Sequence, residues 1–180
     1  MLFGLERRPL VDEASLKETY LRLAAARHPD ASGGGEEKFR LLQEAYNTLR
    51  EPAARLRHLT ELEFPGVGSQ RSSTPHAELF MSAGSAVQAA KTAFLRLEKT
   101  TTALARALLS QEIDAALQQV RGALDSVQHA RDQLIVRLER LEKRWPDVSP
   151  DELIDLASSF AFLSRWMSQL SEWEFRLANG

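Results

Sequence analysis

The run of sequence between Pro75 and Pro146 contains no proline, and its apolar side chains recur every three or four residues. A third stripe with the same spacing follows Pro150. An average repeat of 3.5 residues is typical of helices that pack along nearly parallel axes. The sequence therefore predicts an antiparallel three-helix bundle, in which each helix buries its stripe against the other two. The stripes are Phe80, Ala83, Val87, Ala90, Phe94, Leu97, Thr101, Leu104 and Leu108; Ile113, Leu117, Val120, Leu124, Val127, Arg131, Leu134, Leu138 and Leu141; and Leu153, Leu156, Phe160, Leu163, Met167, Leu170, Glu174 and Leu177.

Two prolines mark helix starts in this region, because Pro75 follows Thr74 and Pro150 follows Ser149. A Ser or Thr oxygen can accept hydrogen bonds from the first free amides, and proline lacks only an amide that would be unpaired there. The one turn signal between the first two helices lies at Ser110, so we expect the turn near this residue. Each of these helices would then be about 50 Å long at 1.5 Å per residue.

Residues 65–74 are rich in Gly, Ser and Pro and predict a linker between a domain at 1–64 and the bundle at 75–180. The first domain is also helical, since apolar and aromatic residues follow one face of two segments, with Asp12 as the N-cap of the first. No alternating strand pattern occurs, so the predicted fold class is all-α. The two faces are Leu16, Tyr20, Leu23 and Arg27, and Phe39, Leu42, Tyr46 and Leu49.

The composition excludes several functional classes. The 180 residues include 23 Lys and Arg against 25 Asp and Glu, a net charge of −2 that is too near balance for a nucleic-acid-binding protein. Because the chain has no cysteine, disulfides, cysteine-based zinc sites and cysteine nucleophiles are excluded. No apolar run approaches the roughly 20 residues of a membrane span, and the first five residues lack the pattern of a signal peptide. We expect a cytoplasmic protein that binds neither nucleic acid nor membranes.

The tripeptide His28-Pro29-Asp30 follows the first helical segment. Proline biases the residue before it away from the α region, so the helix should end at about Arg27 or His28. The three glycines at 33–35 cannot bury side chains, so we expect the imidazole and the carboxylate on an exposed loop. By itself the tripeptide has a second interpretation, a polar turn between two helices.

The sequence around the tripeptide resembles a J-domain. Residues 16–30 are similar to its second helix and signature loop, residues 39–49 to its third helix, and residues 51–55 to the turn that follows. The resemblance implies that the chain docks on an ATP-bound DnaK-type heat-shock ATPase and triggers ATP hydrolysis. It assigns the trigger to His28, Pro29 and Asp30, and the remaining basic contacts to Lys17, Arg22 and Arg27.

The basic face of the predicted docking helix is thin. Leu21, Ala26 and Ala31 stand where J-domains usually carry Lys or Arg, and the three remaining cations are spaced five residues apart. Steps of five residues turn a helix by about 140°, so these cations do not share one stripe. Since exposed charges mainly steer the encounter, we expect a weak and partner-selective contact. The alternative interpretation of the three cations is ordinary solvated surface.

Further segments resemble the HscB family of iron–sulfur cluster co-chaperones. They are the opening Leu2-Phe3-Gly4-Leu5, the early Asp12 and the stretch at 59–66. This family joins an N-terminal J-domain to a C-terminal three-helix bundle, which is the architecture predicted above. The resemblance implies that the bundle holds an iron–sulfur scaffold protein through apolar side chains of its first and last helices. The matching segments are Leu79-Phe80-Met81 and Phe160-Ala161-Phe162-Leu163.

The last helix carries a second stripe, formed by Phe162, Trp166 and Trp173 beside the core stripe. Exposed aromatic residues of this kind are enriched at protein interfaces. A core position within the bundle is the other interpretation, and the sequence leaves both open for Phe162 and Trp166.

The first bundle helix offers three further candidates for client binding, Leu79, Phe80 and Met81. Phe80 belongs to the apolar stripe of its helix, so the sequence favours a core position for it. Leu79 and Met81 flank that stripe and can be either core or interface. Gly84 falls where the HscB family would place a contacting leucine.

Catalysis by the chain itself is not expected. Its four histidines show no metal-binding spacing, and the glycines at 33–35 are not followed by the Lys-Ser/Thr of a phosphate-binding loop. We expect no cofactor and no metal, and any ATP chemistry belongs to the DnaK-type partner. Two alternatives stay open: a J-protein with a different client, or a J-like adaptor that triggers no ATPase. In the adaptor, the aromatic stripe would serve self-association or a different protein.

Overall fold

The computed structural model describes residues 2–28, 35–67 and 77–179. These residues form six α-helices and no strand, which confirms the all-α prediction. The predicted linker at 65–74 and the predicted helix start at Pro75 lie mostly outside the described residues, so the division into 1–64 and 75–180 stays a prediction. The helices are α1 Glu13–Arg27, α2 Glu36–Arg50, α3 Pro52–Glu63, α4 Ala77–Lys99, α5 Ala103–Arg144 and α6 Pro150–Asn179.

The chain divides into two compact units that are not continuous in sequence. The first comprises Met1–Arg71 with Ile135–Phe160, and the second comprises Ser72–Leu134 with Ala161–Gly180. Helices α5 and α6 therefore each contribute residues to both units.

Short-range signals set the helix ends of the N-terminal region. Asp12 caps α1 by accepting from the backbone N–H of Ser15 at 3.0 Å, which confirms the predicted N-cap. Helix α1 ends at Arg27, as predicted, and α3 begins at Pro52, where a missing amide costs no hydrogen bond. After α3, Gly66 has a φ of 90°, a backbone conformation that residues other than glycine rarely adopt.

The core of the first unit combines leucines of α1, α2 and α3 with the end of α5 and the start of α6. Arg137 pairs with Asp155 at 3.0 Å and Arg144 with Glu152 at 2.6 Å, so the two long helices run antiparallel here. The largest fully buried leucines of this unit are Leu16, Leu42, Leu56, Leu138, Leu153 and Leu156.

Helix α6 begins with a reciprocal cap. The backbone N–H of Glu152 donates to Ser149 Oγ at 3.3 Å, and the backbone N–H of Ser149 donates to Glu152 Oε2 at 3.2 Å. This pair satisfies two amides that the first helical turn leaves free. The helix start predicted at Pro150 is confirmed.

The N-terminal segment is attached to α5 and α3 by charged groups. Glu142 of α5 accepts from the backbone N–H of Leu10 at 3.0 Å and pairs with Arg8. Arg7 pairs with Glu63 at the end of α3 at 3.2 Å. These contacts lie within the first unit and hold the segment that leads into α1.

The second unit packs α4 against parts of α5 and α6 through a core rich in alanine. Arg96 of α4 pairs with Glu112 of α5 at 2.8 Å, and Arg121 of α5 pairs with Glu174 of α6 at 2.8 Å. These two ion pairs are consistent with antiparallel packing of α4 against α5 and of α5 against α6. The buried residues of this unit are Ala83, Ala86, Ala90, Ala93, Leu97, Ala116, Val120, Ala123, Val127, Ala130, Leu134, Leu163, Leu170 and Leu177.

The turn predicted near Ser110 is wrong. Helix α4 ends at Lys99, α5 begins at Ala103, and Ser110 lies inside α5. Thr102 sets this boundary, since its Oγ1 accepts from the backbone N–H of Ala105 at 3.3 Å, as an N-cap side chain does. The two helices are therefore 23 and 42 residues long rather than nearly equal.

The core position favoured for Phe80 is also wrong, because this side chain is 48% exposed. The buried stripe of α4 shares Ala83, Ala90 and Leu97 with the predicted stripe, but it has Ala86 and Ala93 in place of Val87 and Phe94. Small side chains let helices approach closely, which leaves a phenylalanine at the edge of the contact.

Candidate functional site

The first candidate site lies at the C-terminal end of α1. His28 caps this helix with a φ of −55° and a ψ of 142°, because the following proline disfavours the helical conformation. Its imidazole is exposed and lies edge-on to the Phe39 ring of α2, with centroids 5.8 Å apart. The structure thus presents His28 at the surface and supports it from α2. Pro29 and Asp30 lie outside the described residues.

The two helices that flank the loop are joined directly. The rings of Tyr20 and Tyr46 stack with centroids 4.1 Å apart and planes at 20°. On the far side of the loop, the backbone N–H of Gly35 donates to the carbonyl oxygen of Arg27 at 3.5 Å. These contacts fix the distance between the ends of the loop that carries the predicted trigger.

The three predicted basic contacts of α1 differ in exposure. Lys17 and Arg22 are exposed, whereas Arg27 is partly buried on the side of the helix that faces α2. In the part of the chain that the structure describes, none of the three forms an ion pair. Lys17 and Arg22 are therefore available to a partner, although the three cations do not form one stripe.

Helix α2 carries a basic group of a different kind. Arg40 pairs with Glu37 at 2.7 Å and also with Glu44. Hydrogen bonding and the charge of Glu37 raise the pKa of Arg40, and Arg40 lowers the pKa of Glu37 in return. Because its charge is already compensated, Arg40 is a poor candidate for an acidic partner.

A buried cation, Arg55, connects the N-terminal segment, α2 and α3 within the first unit. Its side chain is 5% exposed, and it donates from Nε to the Pro9 carbonyl oxygen at 3.0 Å and from Nη1 to the Leu49 carbonyl oxygen at 2.8 Å. Burial lowers the pKa of Arg55, whereas the nearby carboxylates of Glu13 and Glu51 raise it. The sequence pattern alone does not assign Arg55 a role. The sequence feature that indicates a structural role for Arg55 is the position of a basic residue on the apolar face of α3.

A cavity of about 450 Å³ lies between the N-terminal segment and helices α2 and α3. Its walls include Leu5, Leu49 and Leu62, and its rim includes Arg7 and Arg8, which are already paired with carboxylates. None of the predicted site residues lines this cavity. Among the residues whose placement is described, no three His, Asp or Glu side chains are arranged to hold a metal ion.

The second candidate site is an aromatic cluster on α4 and α6, formed by Phe80, Phe162 and Trp166. The Phe80 ring lies edge-on to the Trp166 ring, with centroids 5.7 Å apart. The Phe162 ring also lies edge-on to the Trp166 ring, with centroids 6.4 Å apart. A Cβ atom built on Gly84 would lie 3.9 Å from Trp166 Cη2, so the indole lies beside this glycine. The structure therefore brings three of the five predicted client-binding residues together.

The other two predicted residues lie on different sides of α4. Met81 is 70% exposed, whereas Leu79 is partly buried. Successive residues of a helix are about 100° apart, so Leu79 and Met81 point to opposite sides of Phe80. Met81 extends the apolar surface next to the cluster, and Leu79 lies towards the helix contact.

Trp173 of the second stripe contacts Phe94 rather than the cluster. Their ring centroids are 6.0 Å apart, and the guanidinium of Arg176 lies 5.1 Å above the Trp173 ring. The second stripe of α6 therefore contacts α4 at two separate places.

Comparisons with known proteins identify the N-terminal region. Residues 3–58 match the family model described as DnaJ domain. Over 51 residues, 28% of this chain, the sequence is 45% identical to Protein psi1 of Schizosaccharomyces pombe, of which the match covers 14%. Over 52 residues, 29% of this chain, it is 35% identical to the mitochondrial J-type co-chaperone JAC1 of Saccharomyces cerevisiae, of which the match covers 28%.

The chain therefore contains a DnaJ domain, and the predicted J-domain is confirmed over residues 3–58. The matched region spans less than a third of either relative. Domains of this kind belong to co-chaperones that regulate the ATPase of an Hsp70-type chaperone. None of the helices in the described ranges combines the length and the apolar composition that crossing a bilayer requires.

Proposed function

We propose that this chain is a co-chaperone that stimulates ATP hydrolysis by a DnaK-type chaperone of the Hsp70 class. The observation that carries the proposal is the DnaJ domain at residues 3–58, with His28 exposed at the end of α1. The similarity to a J-type co-chaperone over the same region supports it. The chain catalyses no reaction of its own, and the γ-phosphate of ATP is cleaved in the partner.

Docking would proceed through α1 and the loop that follows it. Lys17 and Arg22 would meet acidic groups of the partner and mainly raise the rate of encounter, since exposed charges contribute little net binding free energy. His28, Pro29 and Asp30 would then contact the ATP-bound partner and trigger hydrolysis. Phe39 would orient His28 during this contact, and the stacked Tyr20 and Tyr46 would hold α1 against α2.

The test is ATP hydrolysis by the DnaK-type chaperones of the same genome, measured under single-turnover conditions. Wild-type protein should accelerate hydrolysis by one of them, and His28→Gln should abolish the effect without changing the helical content. Equal stimulation by the two proteins would contradict the proposed role of His28.

We further propose that α4 and α6 present an iron–sulfur scaffold protein to the chaperone. The support is the resemblance to HscB and the aromatic cluster, in which Phe80 is exposed and Phe162 and Trp166 are partly buried. Met81 and Leu79 flank this cluster. Partly exposed aromatic side chains beside an exposed methionine are the kind of group that dominates binding at protein interfaces. The co-chaperone would then bring the loaded scaffold protein and the ATPase together.

A pair of phenylalanines allows a matched test of this client surface. Phe80 is 48% exposed in the cluster, and Phe175 is 70% exposed elsewhere on α6. Phe80→Ala should weaken capture of a purified iron–sulfur scaffold protein, whereas Phe175→Ala should not. Capture that is lost equally in both variants, or in neither, would contradict the assignment of the cluster.

A second candidate function is a J-like adaptor that triggers no ATPase. The separate positions of the three cations around α1 favour it, because they provide no continuous basic face. In that case the aromatic cluster would serve a different protein or a second copy of the chain. A folded wild-type protein that fails to stimulate any of the chaperones would support the adaptor, and stimulation without scaffold binding would support a different client.

We also propose a cytoplasmic location for the protein, which cell fractionation tests.

A further inference from the structure

The side of α1 that faces away from α2 carries exposed apolar residues. Leu21 is 56% exposed and lies about 140° around the helix from Leu16, which is only 1% exposed and faces α2. Ala25, one turn further towards His28, is also exposed. We call Leu21 and Ala25 the outer strip of α1. The helix is therefore apolar on two sides, although only one of them is covered within the described part of the chain.

Charged residues border the outer strip on both sides. Lys17 lies about 40° from Leu21 around the helix, and Arg22 lies about 100° away in the other direction. Neither forms an ion pair within the described ranges. Glu18 is exposed on the same side, so one carboxylate against two cations leaves a single net positive charge. With so little charge, electrostatic attraction alone gives this face weak binding.

A comparison with α2 separates Leu21 from an ordinary surface leucine, since single exposed leucines are common. Leu41 of α2 is exposed to a similar degree, 48%. Its neighbour Arg40 is already paired with Glu37 and Glu44, so the charge beside Leu41 is compensated inside the helix. Leu21 instead lies between cations without carboxylate partners, about 10 Å along the axis from His28 at 1.5 Å per residue.

We propose that Leu21 is an apolar anchor of the docking surface, and that the DnaK-type partner holds an apolar recess bordered by acidic groups opposite α1. This inference rests on the proposed co-chaperone function and adds to it the chemistry of the contact. The cations steer the encounter, and burial of Leu21 sets how long the complex lasts. A partner whose surface offers acidic groups without a recess would be bound less well, so Leu21 determines which chaperone the chain serves.

The test uses full-length protein and the chaperone that the wild-type chain stimulates. The variants are Leu21→Ala, Leu21→Lys, the matched control Leu41→Ala and the trigger control His28→Gln. Alanine is a good helix former, so both alanine variants should keep their helical content, which circular dichroism checks. The quantity measured is the concentration of each protein that gives half-maximal stimulation of single-turnover ATP hydrolysis, at low and at high salt.

Leu21→Ala should raise the half-maximal concentration about fivefold, with unchanged stimulation at saturation, because it removes buried apolar area without touching the trigger. Leu41→Ala should stay close to wild type. Leu21→Lys should bind less well than wild type at high salt and show the steeper salt dependence, because salt screens the added charge.

The experiment distinguishes failure of this inference from failure of the proposed co-chaperone function. If the wild-type chain stimulates and Leu21→Ala matches Leu41→Ala, the inference is overturned and the co-chaperone function stands. The same holds if Leu21→Lys binds more tightly than wild type at both salt concentrations. If the wild-type chain stimulates none of the chaperones, the proposed function fails and the inference fails with it.

Discussion

The imidazole ring of His28 lies edge-on to the ring of Phe39, with centroids 5.8 Å apart and planes at 73°. The contact joins the end of α1 to the start of α2 across the loop that carries the predicted trigger. It means that the orientation of His28 depends on a residue of the neighbouring helix. Aromatic pairs of this geometry contribute about 0.5–1.5 kcal/mol beyond the area they bury.

Phe39→Ala should therefore weaken stimulation of the chaperone ATPase even though Phe39 is not itself a trigger residue. We expect the half-maximal concentration to rise about 2- to 10-fold, which corresponds to the free energy of one aromatic contact. The measurement is single-turnover ATP hydrolysis at a temperature where the variant is fully folded. Phe64→Ala, at the end of α3, is the control and should leave the half-maximal concentration unchanged. An equal loss in both variants would indicate a general effect on stability.

Arg55→Met should destabilise the protein. The substitution removes two hydrogen bonds from a buried guanidinium and leaves the carbonyl oxygens of Pro9 and Leu49 without this donor. Hydrogen bonds that involve a charged group contribute about 1.5–3 kcal/mol, so we expect the free energy of unfolding to fall by about 2–3 kcal/mol. Urea unfolding measures it, with Arg57→Met, exposed on the same helix, as the control. An unchanged midpoint for Arg55→Met would contradict the role of Arg55 in holding the N-terminal segment.

Asp12 should make stability depend on pH in the acid range. Hydrogen bonds from the side chain and the backbone of Ser15 lower its pKa from the ordinary value of 3.8. A carboxyl whose pKa is lower in the folded state contributes its full stabilisation above the unfolded value and loses it as the pH falls through the folded value. Stability should therefore decline below about pH 4.

Asp12→Asn isolates this contribution, because asparagine also caps helices but cannot ionise. Thermal unfolding of both proteins between neutral pH and the acid range is the measurement. The difference in melting temperature between wild type and Asp12→Asn should shrink as the pH falls through the lowered pKa of Asp12. A difference that is constant across this range would show that Asp12 does not act as a charged cap.

Gly84→Ala should stabilise the protein. A Cβ atom at this position would lie 3.9 Å from Trp166 Cη2, an ordinary van der Waals distance, so alanine fits without displacing the indole. Alanine is favoured over glycine inside a helix by about 1 kcal/mol, and we expect a gain of that order in urea unfolding. Gly122→Ala, where no atom lies within 4 Å of the added carbon, should gain a similar amount. Loss of stability in Gly84→Ala alone would indicate that the indole lies closer to the backbone.

Local signals were enough to predict several features of the fold. Asp12 before an apolar segment, Pro29 after one and Ser149-Pro150 before another each act within one helical turn, and the structure has helix ends at all three. The all-α class likewise follows from periodicity, which needs no knowledge of the packing partner. His28 at the end of α1 is a consequence of the proline beside it.

Features that depend on packing were predicted less well. Phe80 belongs to an apolar stripe, but α4 packs through its alanines, and only the neighbouring helices determine which of two adjacent stripes is buried. Thr101 also continues the apolar spacing of α4, so this spacing places the turn near Ser110 and does not reveal the cap formed by Thr102. The partners of Arg55 are main-chain carbonyl oxygens, which residue types do not reveal.

Single-turnover ATP hydrolysis by the DnaK-type chaperone tests the co-chaperone function most directly. It is measured with this protein and with His28→Gln, each with and without the iron–sulfur scaffold protein. We predict that wild-type protein accelerates hydrolysis, that the scaffold protein increases this effect, and that His28→Gln abolishes both. No acceleration by a folded, helical wild-type protein would contradict the co-chaperone function and favour the adaptor. Acceleration that the scaffold protein does not change would contradict the proposed client.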